Sequence, residues 1–378
     1  MRVGPRTTMW ALRSLAAARN TPVVGPRPVT RLSAPLVASA VLDEFVGAAF
    51  IATRPSPRDT ELARMAGDLD AAVAYWDARG WIDKPVSYHR EPPALRNGDV
   101  TLRPARWGAW RYDHISFPSR FQPRPDEPGA TRWGVGDTVH GAVLRHGDGT
   151  DRPWLVLLHG YGMGYAGLDI HNFRAQRLHT ELGVNVVLPA MPHHGPRRGN
   201  RNDQLLSFDI VQNVHNITQA AWDTRRLIGW IRSITDQPVA LSGLSMGAYL
   251  TGLVSGLDDV DLAIAGIPTT DLEALLHNHA PTAVRKRARS AGFIGPNSRA
   301  AMSLVSPLAV TPRVPRDRRF IFAGLGDRMS TPEQAEQLWE HWDRPAIHWF
   351  PSGHLGCAIS GDGREFATDA LTRHGFAA

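Results

Sequence analysis

The chain has 378 residues, 43% of them hydrophobic, enough to bury a large core. Its 42 basic and 36 acidic residues leave a net charge of +6, yet only Lys84 and Lys286 are lysine and the one dense basic run is RKRAR at 285–289. So short a block reads as solvated surface, so no nucleic-acid partner is expected, and a single cysteine, Cys357, excludes an intrachain disulfide and leaves the cytoplasm as the default setting.

Residues 1–34 are rich in Arg and Pro without periodicity and read as loosely ordered; Arg13 interrupts the early apolar run and argues against a secretory signal. The stretch 35–53, PLVASAVLDEFVGAAFIAT, is the longest apolar one but carries Asp43 and Glu44 at its centre. A membrane-spanning helix would place both carboxylates in hydrocarbon, so a buried or interfacial helix is expected, with core packing as its main role and peripheral membrane contact as the alternative. A second helix is expected over 59–79, opening at Asp59 and stopping at Gly80. Together these make a helical N-terminal extension over 1–97, with Trp and Tyr residues of 75–112 packing it onto the sheet.

From about 98 to 150, WRYDHISF and GDTVHGAVLRH suit antiparallel strands. Short, almost wholly apolar segments then alternate with helical ones: 154–160, 184–189, 238–243, 262–267, 319–326 and 346–350. Such segments are the mark of a mostly parallel sheet with helices on both faces. The longest helical stretch, 207–234, ends in an amphipathic pattern. About fifty residues separate the strands at 262–267 and 319–326, more than a crossover needs, so a small helical cap is expected at about 269–312 of a domain spanning 98–378.

The segment VALSGLSMG at 239–247 sets Ser245 between Gly243 and Gly247, two residues to either side. A serine at the tip of a sharp strand-to-helix turn needs very small neighbours at those positions, because they crowd the adjoining strand and helix. In a chain with 35 glycines this pattern arises by chance too easily to carry the reading alone. Two further elements support it. Asp327 follows the strand of RRFIFAGLGD, and His354 lies in the loop after AIHWF. The order Ser245, Asp327, His354 suits a nucleophile, an acid that orients the imidazole, and a base that takes the hydroxyl proton. The oxyanion would be met by the backbone N–H of Met246 and by one from HGYGMG at 159–164, for which Tyr161 is the choice.

Other residues could fill these roles. Asp271 and Asp317 are the alternative acids; His348 and His374 are weaker bases, and Cys357 lacks a turn of its own. His193 and His194 are adjacent and without a companion ligand at helical spacing, so a pocket-bordering loop fits them better than a metal site. Arg197 and Arg198 beside them could meet a substrate anion. No cofactor or metal is expected.

Through LLHGYG at 157–162, GLSMG at 243–247, GLGD at 324–327 and PSGH at 351–354, residues about 135–370 resemble the α/β-hydrolase superfamily. The resemblance implies that fold, with Ser245, Asp327 and His354 as triad and Tyr161 and Met246 as oxyanion donors. The extension, the HGYG loop and MPHHGPRR also resemble a branch of abhydrolase-domain proteins that includes lipid deacylases. The activity expected is cofactor-independent cleavage of a carboxylic ester, possibly of a lipid or other hydrophobic acyl group, through an acyl-enzyme. An acyltransferase or thioesterase would use the same residues, and a non-catalytic binding protein of this fold is the remaining alternative.

Overall fold

The computed structural model describes residues 9, 27–52, 57–134, 137–199, 204–274, 282–358 and 361–377. Most of the loosely ordered stretch expected at 1–34, and residues 275–281 of the expected cap, lie outside them. Among the described residues, nine strands form one sheet in the order β1-β2-β3-β5-β4-β6-β7-β8-β9. β1 (Thr101–Trp107), β2 (Trp110–Pro118) and β3 (Thr138–Leu144) pair antiparallel, and β3 joins β5 (Asn185–Pro189) the same way. From β5 onward, β4 (Trp154–Leu158), β6 (Val239–Leu244), β7 (Leu262–Gly266), β8 (Arg319–Gly324) and β9 (Ala346–Phe350) run parallel. Every residue of β4, β5 and β7 is buried, as two-sided helical cover requires.

On one face lie α3 (Ala166–Asn172), α4 (Ala175–Glu181) and α10 (Asp362–Arg373), packed on Leu155, Leu157, Ile264 and Phe322. The other face carries α5 (Ile210–Ile234) and α6 (Met246–Leu257). Polar and charged residues of α5 do not all face solvent: Asp223, Thr224, Arg225 and Arg226 are buried. The N-terminal segment covers them, with Arg226 donating to the Pro93 carbonyl at 2.9 Å and Trp222 Nε1 to the Ser119 carbonyl at 2.8 Å.

Among the described residues, the N-terminal extension holds two helices, α1 (Ala34–Ala52) and α2 (Asp59–Asp77). Trp76 of α2 is fully buried and donates from Nε1 to Glu127, which also accepts from the Tyr88 hydroxyl. Between β7 and β8 stand α7 (Thr282–Ser290) and α8 (Pro296–Ser303). They meet the extension through the solvent-exposed Arg287–Asp59 pair at 2.7 Å and the bond from Asn297 to Asp70 at 2.7 Å. After β8 comes α9 (Pro332–His341), to which Arg27 pairs through Glu333 at 2.8 Å.

The β6–α6 turn shows why its glycines are there. A Cβ on Gly243 would run into the Gly247 carbonyl group and lie 2.7 Å from Thr251 Oγ1; one on Gly247 would overlap the Leu158 carbonyl. Gly247→Ala should therefore destabilise the protein by about 1–3 kcal/mol, the usual range for overpacking. Gly67, exposed within α2, has nothing within 4 Å of its would-be Cβ, and Gly67→Ala should stabilise by about 0.5–1 kcal/mol. Chemical denaturation of both variants against the wild type checks the pair.

Candidate active site

Ser245 sits at the end of β6 with φ +56° and ψ −112°, a backbone conformation that a side-chain-bearing residue adopts only under constraint. Its N–H donates to the Gly266 carbonyl of β7 at 2.9 Å, which anchors the turn to the neighbouring strand. The turn lifts the hydroxyl to the carboxyl edge of the sheet, and α6 begins at the next residue. Met246 thus offers the first amide of a helix, one of those that no intrahelical carbonyl satisfies.

The loops after β8 and β9 bring the other two candidates there. His354 Nδ1 donates to Asp327 Oδ2 at 2.7 Å, which leaves Nε2 to accept from the Ser245 hydroxyl at 3.0 Å. The second Asp327 oxygen accepts the N–H groups of Met329 and Ser330, each at 2.8 Å, so this buried carboxylate is held on both sides. Burial works to lower the His354 pKa, but the charge and hydrogen bond of Asp327, with the charge of Asp43, outweigh it and hold the imidazole above its ordinary 6.5.

The loop after β4 stands beside the serine: a Cβ on Gly160 would lie 3.7 Å from that of Ser245. Tyr161 follows it and lines the same cavity as Ser245, Met246 and His354. This loop is braced from behind. His159 Nδ1 donates to the Gly160 carbonyl at 2.8 Å while its Nε2 accepts the Met191 N–H at 3.0 Å, and burial pushes its pKa down to about 3, so the ring is a neutral strut. Asp169 accepts the Gly164 N–H at 3.1 Å.

The chain matches two proteins of Mycobacterium tuberculosis, "Uncharacterized protein MT2702" of strain CDC 1551 / Oshkosh and "Uncharacterized protein Rv2627c" of strain H37Rv. Each is 38% identical over 357 residues, which span 92% of this chain and 84% of the relative. No family model matches the sequence. Among solved structures, acetyl xylan esterase 1 from Thermoanaerobacterium sp. JW/SL YS485 is similar at a TM-score of 0.53 and 14% identity, covering 82% of this chain and 99% of the esterase. The chain has the α/β-hydrolase fold. It shares a family with the two mycobacterial relatives.

In this hydrolase-fold chain the alternative site residues stand elsewhere. Asp271 caps a helical turn, accepting the Ala274 N–H at 2.9 Å, and Asp317 is exposed before β8, at the opposite end of that strand from Asp327. His348 stacks on Phe366 within β9, and His374 meets the edge of Phe320. The expectation that His193, His194 and the arginines border the pocket is corrected: none of 193–198 lines the cavity that holds Ser245. His194 packs edge-on to Tyr161, with centroids 5.0 Å apart, and Gly195 abuts Gly164, so the segment buttresses the 159–164 loop. Arg197 is buried in an ion pair with Asp223 at 2.9 Å and is not available to a substrate anion. Among the described residues, no group of three or more His, Cys, Asp or Glu is arranged to hold a metal ion, and no helix is long and apolar enough to cross a membrane.

From Ser245 and His354 a cavity of about 780 Å³ extends over one face of the sheet, between α4 and α10. Its walls include Leu155, Leu157, Ile264, Phe322, Leu178 and Leu371. Cys357 also lines it, buried, with its thiol pushed up to about 12 by desolvation. In the native protein Cys357 should resist a disulfide-exchange reagent at pH 8 and react only on unfolding; prompt stoichiometric release of chromophore from the folded protein would contradict this placement.

The residue that sequence reasoning missed is Asp43. Fully buried on α1, it receives backbone amides from both loops that carry Asp327 and His354. The signal was an acidic pair in an otherwise uncharged helix, read only as evidence against a membrane span.

Proposed function

We propose that the protein is a serine hydrolase that cleaves a carboxylic ester with a hydrophobic acyl group. The observation that carries this reading is the hydrogen-bonded line from Asp327 through His354 to Ser245, the last two of which line a largely apolar cavity. In this reading His354 Nε2 takes the Ser245 proton as Oγ attacks the acyl carbon, and Asp327 stabilises the imidazolium. The N–H groups of Met246 and Tyr161 receive the oxyanion. Collapse expels the alcohol with the proton returned by His354, and water then repeats the sequence to free the acid. The cavity supplies an acyl pocket whose size is ordinary for a small-molecule site.

Ser245→Ala should abolish fluorophosphonate labelling and turnover of p-nitrophenyl esters while the protein stays folded. Across esters from acetate to palmitate, kcat/KM should climb by up to about fourfold per added methylene, since burying each is worth about 0.8 kcal/mol. A wild type that takes no label, or a flat chain-length profile, would sink the enzyme reading or the hydrophobic-substrate reading respectively. His354 must be neutral to accept the proton, and its pKa is raised, so activity should be lost on the acid side with a midpoint above 6.5. Asp327→Asn should move that midpoint down and cut turnover by about 10⁴.

Peripheral contact with a lipid surface through 35–53 belongs to the same reading. α1 turns both its carboxylates inward and presents Pro35, Ala38, Val41, Leu42 and Phe45 to solvent, the reverse of an ordinary surface helix. Val46, on the same helix, lines the cavity. Residues 1–33 carry six arginines and no acidic residue, a charge suited to anionic headgroups. The protein should float with phosphatidylglycerol-containing vesicles, and Leu42→Ser/Phe45→Ser should remain in the soluble fraction; a wild type that does not float removes the membrane contact.

A further inference from the structure

We propose that Asp43 is a positioning residue for the active-site histidine: from the N-terminal helix, its carboxylate pins the backbone of the His354 loop and holds the imidazole between Asp327 and Ser245. This rests on the serine hydrolase reading and adds to it a group from outside the sheet-and-helix domain.

The contacts are specific. Asp43 Oδ2 accepts the His354 N–H at 2.6 Å and the Arg328 N–H at 3.2 Å, and Oδ1 accepts the Leu355 N–H at 3.1 Å. One side chain therefore ties together the residue after Asp327, the base itself and the residue after it. The approach requires glycine on the receiving side: a Cβ on Gly353 would lie 2.5 Å from Asp43 Oδ2, and one on Gly326 would lie 2.6 Å from Leu36 Cδ1 of the same helix. Gly326 and Gly353 are the glycines directly before Asp327 and His354, so both loops are shaped to receive α1.

A carboxylate with zero exposure is costly to keep unless its charge is used. Here burial, and then the Asp327 charge, raise the Asp43 pKa to about 6, while the His354 charge and the amides of His354 and Leu355 oppose the rise. The other charged groups at this junction are Arg328 and Glu44, which pair with each other at 3.0 Å. The His354 ring thus faces two carboxylates, Asp327 by direct hydrogen bond and Asp43 through space, and both favour the imidazolium.

The test uses the whole 378-residue chain. Asp43→Asn keeps shape but removes the charge and gives one backbone amide a donor to face. The His354 imidazole, followed by NMR titration, should titrate at lower pH than in the wild type. Both kcat and the rate of fluorophosphonate labelling should fall by about 10- to 100-fold with KM within about threefold, as expected for a misplaced base. Asp43→Glu keeps the charge but shifts the oxygens by a methylene; it should lose rate while retaining the wild-type His354 titration, and it carries the test if Asp43→Asn does not fold. Glu44→Gln, which leaves the loop amides bound, should label like the wild type. An unchanged His354 titration in Asp43→Asn, or wild-type kcat in folded Asp43→Glu, overturns the proposal. The titration is read whether or not Ser245 reacts, so a wild type that takes no label would fail the hydrolase reading and leave the Asp43 result to stand or fall by itself.

Discussion

The strained turn at Ser245 is the constraint on which the rest of the molecule's arrangement depends. A positive φ at a residue with a side chain persists only when the surroundings determine it. Here they do so by proximity: α6 starts so close to β4 and β6 that neither Gly243 nor Gly247 has room for a methyl group. The Ser245 N–H is committed to β7, which leaves the helix start, the hydroxyl and the 159–164 loop facing one point. Strands β8 and β9 then need only end at the same edge for Asp327 and His354 to arrive within hydrogen-bond reach.

The arrangement around that point separates groups that hold charge from groups that must not. His159 and His194 are buried among polar backbone groups, and burial lowers both pKa values, to about 3 and about 4, so they brace the 159–164 loop without adding positive charge. His354 is equally enclosed but is pulled the other way by carboxylates. Three imidazoles in one region thus have pKa values shifted in opposite directions because of their partners, not their depth. Asp169, whose hydrogen bond within the loop comes from the Gly164 N–H, is pushed by desolvation to about 7.

Much of this was legible in the chain. The parallel strands are short apolar runs with clear punctuation, and Ser245, Asp327 and His354 each come directly after one, so their meeting at one edge could be read from order alone. The antiparallel edge was less so: β1 contains Pro104, Arg103 and Arg106 and carries no alternation, because an edge strand that is mostly exposed has little apolar face to show. The burial of Asp223, Thr224, Arg225 and Arg226 in α5 was not legible for a different reason: periodicity says which residues share a face but not what covers it, and the chain around 90–120 covers these. The segment at 193–198 failed likewise: adjacent histidines and arginines look like a pocket rim, yet His194 and Gly195 pack behind the 159–164 loop, Arg197 pairs with Asp223 and Arg198 is exposed.

The inverted helix α1 shows most plainly where pattern reasoning ends. An acidic pair in an apolar helix is ordinarily assigned to solvent, and by that logic α1 would bury Val41, Leu42 and Phe45 and expose Asp43 and Glu44. The opposite holds, because the loops after β8 and β9 offer three backbone N–H groups and the Arg328 side chain to acceptors arriving from outside, and leaving those donors dry would cost more than leaving three apolar side chains wet. The N-terminal extension is therefore part of the edge where Ser245 stands, and the glycines before Asp327 and His354 are shaped by it as much as by the sheet. Two carboxylates that are more than 280 residues apart in sequence converge on one histidine loop, one bonded to its ring and one to its backbone, which fixes that loop in both position and orientation.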